Sequence, residues 1–261
     1  MRIATFNING IGARLPRLLD WLERTRPDAV CLQELKCATE AFPAAAVEAL
    51  GYHALVHGQK GFNGVAILAR QPASERARAL PGDDDDAQSR YIEAELADGT
   101  ILGCLYLPNG NPVPGPKFDY KLAWFARIEA HARDLMALER PVVLMGDWNV
   151  CPTEEDVYSE ADMAGDALIR PESRAGFRRL TNAGWTDAIR ARQPAGLAYT
   201  YWDYQAGAWP RDHGLRIDHA LLSPHAADRL LAAGIDRAER GLERASDHVP
   251  VWVELAGAPA P

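Results

Sequence analysis

Short apolar runs alternate along the chain with segments of helical periodicity. RIATFNI at residues 2–8 and AVCLQ at 29–33 are apolar enough to form buried strands. Between them, four leucines stand at the i, i+3, i+4, i+7 spacing of one helix face: Leu15, Leu18, Leu19 and Leu22. The runs YHALVHG, GVAILA, YIEAEL and TILGCLYL follow with only turns or short loops between them, which is typical of antiparallel pairing.

The second half continues this alternation. An amphipathic helix is predicted from Lys121 to Glu139, ended by Pro141, and VVLMG, IDHALLS and VPVWVEL are the strands that follow. We therefore expect an α/β fold: a four-layer α/β sandwich in which two mixed, mainly antiparallel β-sheets pack face to face and are flanked by helices. Because no Gly/Ser-rich linker divides the chain, residues 1–255 are predicted to form a single domain and 256–261 a flexible tail.

Composition and charge narrow the function only slightly. The net charge of −8 disfavours phosphate binding by the surface as a whole, but the segment from Arg170 to Arg216 carries eight basic against four acidic residues. The four cysteines are widely spaced, which indicates reduced thiols rather than disulfides or a zinc site. Neither a signal peptide nor a membrane span is visible, so we expect a protein that does not associate with membranes.

Polar residues stand where the predicted strands end. GDWN, after the run VVLMG, holds Asp147 and Asn149 on either side of Trp148, so strand alternation points these two side chains the same way. Ligands often bind at strand ends in packed α/β folds. Seven residues occupy such positions: Asn7, Glu34, Asp147, Asn149, Asp218, Asp247 and His248.

This set of side chains suits the hydrolysis of a phosphodiester. The charge of the phosphate must be screened before a nucleophile approaches, and a hard divalent cation held by carboxylate and amide oxygens does this. A His beside an Asp supplies an oriented donor, and a metal-free carboxylate can act as general base. Alone, Asn7 can begin a turn, Glu34 can end a strand, and Asp247–His248 can cap a loop. Together they predict a metal-dependent hydrolase.

The same segments carry a family resemblance over essentially the whole chain. TFNING, LQELK, HGQKGFNGVAIL, GDDDDAQSRYIEAEL, YLPNGNP, GDWNVCPTE, YTYWDY, GLRIDHALL and SDHVPVWVEL occur in this order. The chain thus resembles the exonuclease III family of AP endonucleases, within the endonuclease/exonuclease/phosphatase superfamily. HGQKG, GLRID and SDHVPVW indicate the DNA-repair branch rather than members that act on lipids or inositol phosphates.

The resemblance implies a role for each site residue. Glu34 is the principal metal ligand, Asp147 activates the attacking water or holds a second metal, and His248 contacts the scissile phosphate while Asp218 holds its ring. The implied catalytic set is Tyr106, Asp147, Asn149, Asp218 and His248, although Tyr106 also fits an ordinary strand aromatic. The implied ligands of one or two Mg²⁺ ions, with Mn²⁺ as substitute, are Asn7, Glu34, Asp147, Asn149, Asp247 and His248.

The resemblance also implies a DNA-binding set. Two of its members have alternatives, since Lys117 also fits a solvated surface and Trp202 a core aromatic. Two loops depart from the family pattern, the Pro-rich GNPVPGPKFDYK and the GFNG segment after HGQK, which leaves the balance of activities open. Arg211 and Arg216 fit the basic segment counted above. The predicted DNA contacts are Arg90, Asn109, Lys117, Lys121, Trp202, Arg211 and Arg216.

The predicted function is a divalent-metal-dependent DNA repair nuclease of base excision repair. It would hydrolyse the phosphodiester 5′ to abasic sites and remove nucleotides or blocking groups from 3′ ends of double-stranded DNA, as a monomer in a bacterial-type cytoplasm, associated with the nucleoid through DNA. Two alternatives keep the fold: an enzyme for RNA or a small phosphoester, and a DNA-binding module without catalysis.

Overall fold

The computed structural model describes residues 1–257, and the outer part of the predicted tail, 258–261, lies outside the described residues. Within the described range the chain forms twelve strands: β1 (Arg2–Asn7), β2 (Ala29–Gln33), β3 (His53–His57), β4 (Val65–Ala69), β5 (Ser74–Ala77), β6 (Tyr91–Glu95), β7 (Ile101–Tyr106), β8 (Val142–Asp147), β9 (Thr186–Asp187), β10 (Asp218–Leu222), β11 (Leu230–Ile235) and β12 (Val251–Leu255).

The α-helices lie outside the sheets or in the loops that join strands. They are α1 (Ile11–Thr25), α2 (Ala44–Glu48), α3 (Pro116–Met136), α4 (Pro171–Asn182), α5 (Ala188–Arg192), α6 (Ala208–Arg211) and α7 (Pro224–Ala227). Among the described residues, no helix combines the length and apolarity that crossing a bilayer requires.

The two six-stranded sheets repeat one pattern of strand directions. Their orders are β11-β12-β1-β2-β4-β3 and β9-β10-β8-β7-β6-β5. Each has a single parallel pair, β1 with β2 and β7 with β8, and antiparallel neighbours elsewhere. The predicted pair of mixed, mainly antiparallel sheets is therefore confirmed. Because both parallel pairs occupy equivalent positions, their C-terminal ends form corresponding parts of one site.

Three apolar layers hold the sandwich together. The inner layer, between the sheets, includes Ile67, Ile92 and Met145, all with 0% exposure. One outer layer seats α1 on the first sheet through Trp21, and the other seats α3 and α4 on the second sheet through Trp124 and Phe177. Strands that are covered on both faces have continuous apolar sequences, which explains why the buried strands could be predicted from the sequence.

The sequence-based prediction misplaced one helix and missed three of the four edge strands. Helix α3 begins at Pro116, before the predicted Lys121, and ends at Met136. The Pro-rich segment looked like a loop, yet proline is favoured at the first position of a helix because its missing N–H has no partner there. The edge strands β5, β9 and β11 were not predicted, since β5 is largely exposed and β9 has two residues. Ala256, assigned to the flexible tail, is hydrogen-bonded to Arg229 at 2.7 Å.

Candidate active site

The parallel strand pairs of the two sheets end at the same edge of the sandwich and bring four polar residues together. Asn7 ends β1, Asp147 ends β8, Tyr106 ends β7, and Glu34 directly follows β2. The Asn7 amide donates from Nδ2 to Glu34 Oε1 at 3.0 Å and to Asp147 Oδ2 at 2.9 Å. Asn7 is fully buried, so this amide fixes the separation of the two carboxylates across the sheet interface.

Glu34 is held as a carboxylate by three donors. Besides Asn7, the Tyr106 hydroxyl donates to Oε1 at 2.9 Å, and Lys36 Nζ lies 2.9 Å from Oε2. Burial alone would raise the pKa of Glu34, but the Asn7 hydrogen bond and the Lys36 charge lower it below its usual value. An ionised carboxylate at this edge is available to bind a cation.

The position of Asp147 depends on the glycine before it. At Gly146, φ is 156°, and a Cβ there would lie 1.8 Å from the carbonyl oxygen of Leu105. Glycine is required at this point because the backbones of β7 and β8 approach too closely for any side chain. Asp147 follows at 1% exposure, and burial, with the nearby charges of Asp218 and Glu34, raises its pKa to about 7.

Strand register places a fifth residue, Asp218, and a hydrogen bond to it places a sixth, His248. Asp218, the first residue of β10, stands opposite Asp147 in the antiparallel pair. Its Oδ2 lies 2.8 Å from His248 Nδ1 and accepts a hydrogen bond from Thr200 Oγ1 at 2.6 Å. Burial would lower the pKa of His248, but the charges of Asp218 and Asp147 raise it to about 10. These two carboxylates thus favour the imidazolium form of His248, whose Nε2 lies 3.7 Å from Asp147 Oδ2.

The residues at this edge fit a divalent cation. Glu34, Asp147 and His248 offer ligand atoms that all lie within 4.8 Å of one another. Two of these are carboxylate oxygens, the donors that hard cations prefer. The raised pKa of Asp147 shows carboxylate charge without sufficient compensation, which a bound cation would supply. The third member, His248, is held by Asp218 through Nδ1, and its assignment as a metal ligand stays a prediction.

A buried lysine connects the two asparagines of the site. Asn149 Oδ1 accepts from Asn109 Nδ2 at 3.2 Å. Lys121, which is 0% exposed, donates from Nζ to the Asn109 carbonyl at 2.9 Å and to the Asn149 carbonyl at 2.5 Å. Burial lowers the pKa of Lys121 to about 7, against the opposing charges of Asp147 and Asp166. These two hydrogen bonds fix the backbone of both loops from beneath the cleft.

Three predicted DNA contacts are wrong because their side chains are buried in other interactions. Lys121 makes the carbonyl contacts just described. Trp202 is 0% exposed, and its Nε1 donates to Asp212 Oδ1 at 2.9 Å. Arg216 is 1% exposed and pairs with Asp156 at 2.6 Å and with Asp187 at 2.8 Å. Each residue therefore stabilises a loop, and none can reach a duplex.

The remaining predicted contacts are accessible. Asn109, Lys117 and Arg211 are exposed, and Arg90 is half-buried, with its guanidinium 4.7 Å from the centre of the Tyr106 ring. Asp247 is half-buried beside the cleft and accepts from Asn9 Nδ2 at 2.9 Å. Their assignment to DNA, or to metal for Asp247, stays a prediction.

Sequence reasoning missed several residues that complete the site. Asn9 bridges Asp247 and Lys36, and Thr200 supports Asp218. Tyr201 packs edge-on to His248, with ring centres 4.9 Å apart, and lines a cleft of about 540 Å³. No clear sequence signal marks Tyr201, because YTYW is a loop in which only Tyr201 forms isolated bridges.

The comparisons with known proteins agree with this geometry. The Endonuclease/Exonuclease/phosphatase family model matches residues 4–248. Exodeoxyribonuclease III of Haemophilus influenzae is 36% identical over 98% of this chain and 100% of its own. DNA repair nuclease APEX1 of Danio rerio is 33% identical over 98% of this chain and 82% of its own.

Solved structures resemble the whole chain. A Neisseria 3′ phosphatase, NExo, bound to a product DNA hairpin, superposes with a TM-score of 0.95 at 38% identity, covering 98% of this chain and 99% of that one. An AP endonuclease from Archaeoglobus fulgidus superposes with a TM-score of 0.93 at 32% identity, again covering 98% and 99%.

Fold and site together define a phosphodiester hydrolase that uses a metal ion. The chain belongs to the endonuclease/exonuclease/phosphatase family, and within it to the exonuclease III type of nuclease that the sequence motifs indicated.

Proposed function

We propose that the chain is a Mg²⁺-dependent DNA repair nuclease that hydrolyses the backbone 5′ to abasic sites and removes nucleotides or blocking groups from 3′ ends. The observation that carries this proposal is a set of hydrogen bonds that joins the two sheets. Asn7 links the carboxylates of Glu34 and Asp147, and Asp218 holds the His248 ring beside Asp147. The named relatives support the substrate, since they include a DNA repair nuclease and an AP endonuclease.

Glu34 and Asn7 would hold the metal, with Asp247 nearby. Asp147 would either activate the attacking water or, where two ions bind, hold the second one. A bound Mg²⁺ would neutralise charge on the phosphate and polarise its oxygen. Either one or two ions agree with this donor set, and Mn²⁺ would substitute because it prefers the same oxygen ligands.

The protein groups then supply orientation and proton transfer. Asp147 would accept the proton of the attacking water, and Asn149 would orient that water. The Asn149 backbone N–H donates to Asp147 Oδ1 at 2.9 Å, which keeps the two residues together. As the water oxygen bonds to phosphorus, the bond to the leaving 3′-oxygen breaks, and that oxygen takes a proton from solvent to give the 3′-hydroxyl end. His248 would donate from Nε2 to a phosphate oxygen, where charge accumulates in the transition state.

DNA would approach across the accessible residues around the cleft. Arg90, Lys117 and Arg211 are cations, and Asn109 an amide donor, suited to backbone phosphates, which position a duplex without reading its sequence. We further propose that the protein acts as a monomer in the cytoplasm, associated with the nucleoid through DNA.

A second candidate, in which removal of 3′ ends predominates, is favoured by one finding. The Neisseria structures at 38% identity are described as a 3′ phosphatase and a 3′-5′ exonuclease. The balance of activities would then depend on the loops around the cleft.

A side-by-side assay tests both candidates. Equal amounts of an abasic-analogue duplex, an intact duplex, a duplex with a 3′-phosphate, an RNA and a simple diester are incubated with enzyme and Mg²⁺. We expect incision 5′ to the abasic analogue with a 3′-hydroxyl product. Turnover of the 3′-phosphate duplex alone supports the second candidate, and turnover of the diester or RNA alone contradicts both.

A further inference from the structure

A buried glutamine directly before Glu34 joins the two sheets. Gln33 is the last residue of β2 and is 0% exposed. Its Oε1 accepts a hydrogen bond from Thr5 Oγ1 on β1 at 3.1 Å. Its Nε2 donates to Cys104 Sγ on β7, which belongs to the other sheet, at 3.3 Å. One side chain therefore links three strands across the interface between the sheets.

Stability alone does not explain these links. Thr5, Gln33 and Cys104 are all 0% exposed, and the inner layer to which Cys104 belongs otherwise consists of apolar side chains such as Ile67 and Met145. Burying an amide and a hydroxyl costs free energy, which their hydrogen bonds offset. Because a thiol is a weak acceptor, the bond to Cys104 Sγ offsets less than a bond to oxygen would. An apolar side chain would suit this layer better than the amide.

The linked strands carry the residues that hold the Glu34 carboxylate. On β1, Thr5 stands two residues before Asn7. On β7, Cys104 stands two residues before Tyr106. Asn7 and Tyr106 donate to Glu34 Oε1 at 3.0 Å and 2.9 Å. Residues two apart on a strand point to the same face, so each link lies one step below a donor to Glu34. The Gln33 amide thus fixes the separation of the strands that carry both donors.

The backbone at Glu34 also depends on its neighbours. Its φ is 53°, in the left-handed region where a residue with a side chain is strained. Such strain persists at functional sites where surrounding groups hold the conformation. The Gln33 carbonyl accepts from the Ile8 N–H at 3.0 Å, and the Glu34 carbonyl accepts from the Gly10 N–H at 2.7 Å. Gln33 is therefore held by its backbone and by its side chain immediately before this turn.

We propose that Gln33 is a positioning residue for the divalent cation and acts through Glu34 rather than on the ion itself. By fixing β1, β2 and β7 to one another, its amide keeps the Glu34 carboxylate and the two donors at the separation that binds the cation. The inference rests on the proposed function for the nature of the ligand. Groups that orient metal ligands without touching the metal typically change its affinity or the activity about 10- to 100-fold.

Metal binding by the DNA-free protein tests this role. The electron paramagnetic resonance signal of free Mn²⁺ falls as the ion binds, and the binding that disappears in Glu34→Gln is assigned to the site. Gln33→Met removes the amide and keeps the length of the side chain. We expect it to raise the Kd of the site for Mn²⁺ about 10-fold.

A second variant isolates the link between the sheets. Cys104→Val removes the acceptor of the Gln33 amide, keeps the core filled, and should also raise the Kd for Mn²⁺. Because both substitutions break the same hydrogen bond, their effects should not add. We expect the double variant to bind Mn²⁺ about as weakly as Gln33→Met does.

Ser223→Ala is the matched control for the loss of a buried hydrogen bond. Ser223 is 1% exposed, and its hydroxyl accepts from the Val142 N–H at 2.9 Å and donates to the Arg140 carbonyl at 3.0 Å. Val142 begins β8 and Asp147 ends it, about 17 Å away along the strand. We expect Ser223→Ala to lower Tm, measured by circular dichroism, and to bind Mn²⁺ with the wild-type Kd.

Three results would overturn the proposal: a wild-type Kd in Gln33→Met and Cys104→Val, an equal rise of the Kd in Ser223→Ala, or effects that multiply in the double variant. If Gln33→Met does not fold, Cys104→Val decides between a raised and an unchanged Kd. Failure of the proposed function would appear separately, as a wild type that binds Mn²⁺ at this site but cleaves no DNA.

Discussion

Replacing Arg216 separates a structural role from a DNA-binding role. Its guanidinium donates to Asp156 at 2.6 and 3.1 Å and to Asp187 at 2.8 Å, and both Arg216 and Asp156 are almost completely buried. Arg216→Met leaves two carboxylates in the interior with one less cation. Breaking a buried ion pair by removing one partner costs about 3–5 kcal/mol. In a chain of this size, each kcal/mol lowers Tm by about 2–4 °C, so we expect a loss of about 10 °C.

The loss should also depend on pH. The charge of Arg216 lowers the pKa of Asp156 and Asp187 in the folded protein, although burial alone would raise both. The stabilisation is therefore present above the unfolded pKa of about 4 and declines as pH falls toward the lowered folded values. The difference in unfolding free energy between wild type and Arg216→Met should be largest above about pH 5 and smaller in acid.

Thermal and urea unfolding followed by circular dichroism measure this difference. Arg178→Met is the control, because Arg178 is exposed on α4, and we expect it to change stability by less than about 0.5 kcal/mol. The salt slope of DNA binding is the slope of log affinity against log salt concentration, which falls when a phosphate contact is lost. Arg216→Met with wild-type stability at pH 7 but a reduced salt slope of DNA binding would refute the structural role and restore the original prediction of a DNA contact.

Two other substitutions probe the site itself. Lys121→Met removes the donor that holds the Asn109 and Asn149 carbonyls, so we expect kcat to fall about 10- to 100-fold with an unchanged salt slope of DNA binding. Steady-state cleavage and anisotropy measure these two quantities, and a reduced slope would mean that Lys121 contacts DNA. Asp218→Asn removes the charge that keeps His248 protonated, so the pKa of His248 should fall from about 10 and kcat should drop about 10²- to 10⁴-fold. Cleavage as a function of pH checks the second variant, and a wild-type profile would contradict the assigned role of Asp218.

The sequence predicted the sandwich because its strands are buried on both faces. Runs such as VVLMG at β8 have no polar position, so they were visible without knowledge of their partners. The seven strand-end residues were visible for a related reason, since a polar residue directly after such a run has few structural explanations. The register that sets Asp218 opposite Asp147 could not be predicted, because it depends on pairing across 71 residues.

The errors have a common physical cause. Lys121, Trp202 and Arg216 were assigned to DNA by residue type and loop position, whereas their burial depends on neighbours distant in sequence, such as Asp156 for Arg216. An arginine in a basic segment has the same local pattern whether it faces solvent or two buried carboxylates. Tyr201 was missed because its segment is a loop, where neither strand nor helix periodicity predicts the direction of a side chain.

The most direct test of the metal site is a cleavage assay on an abasic-analogue duplex. Wild type and Glu34→Gln are compared, with Mg²⁺ removed by EDTA and then restored. Glu34→Gln keeps the shape of the side chain and removes the charge that Asn7, Tyr106 and Lys36 hold in place. We predict that wild-type activity disappears in EDTA and returns with Mg²⁺, while Glu34→Gln stays inactive and folded at every Mg²⁺ concentration. Wild-type turnover by Glu34→Gln, or cleavage that persists in EDTA, would contradict a metal-dependent site at this edge of the sandwich.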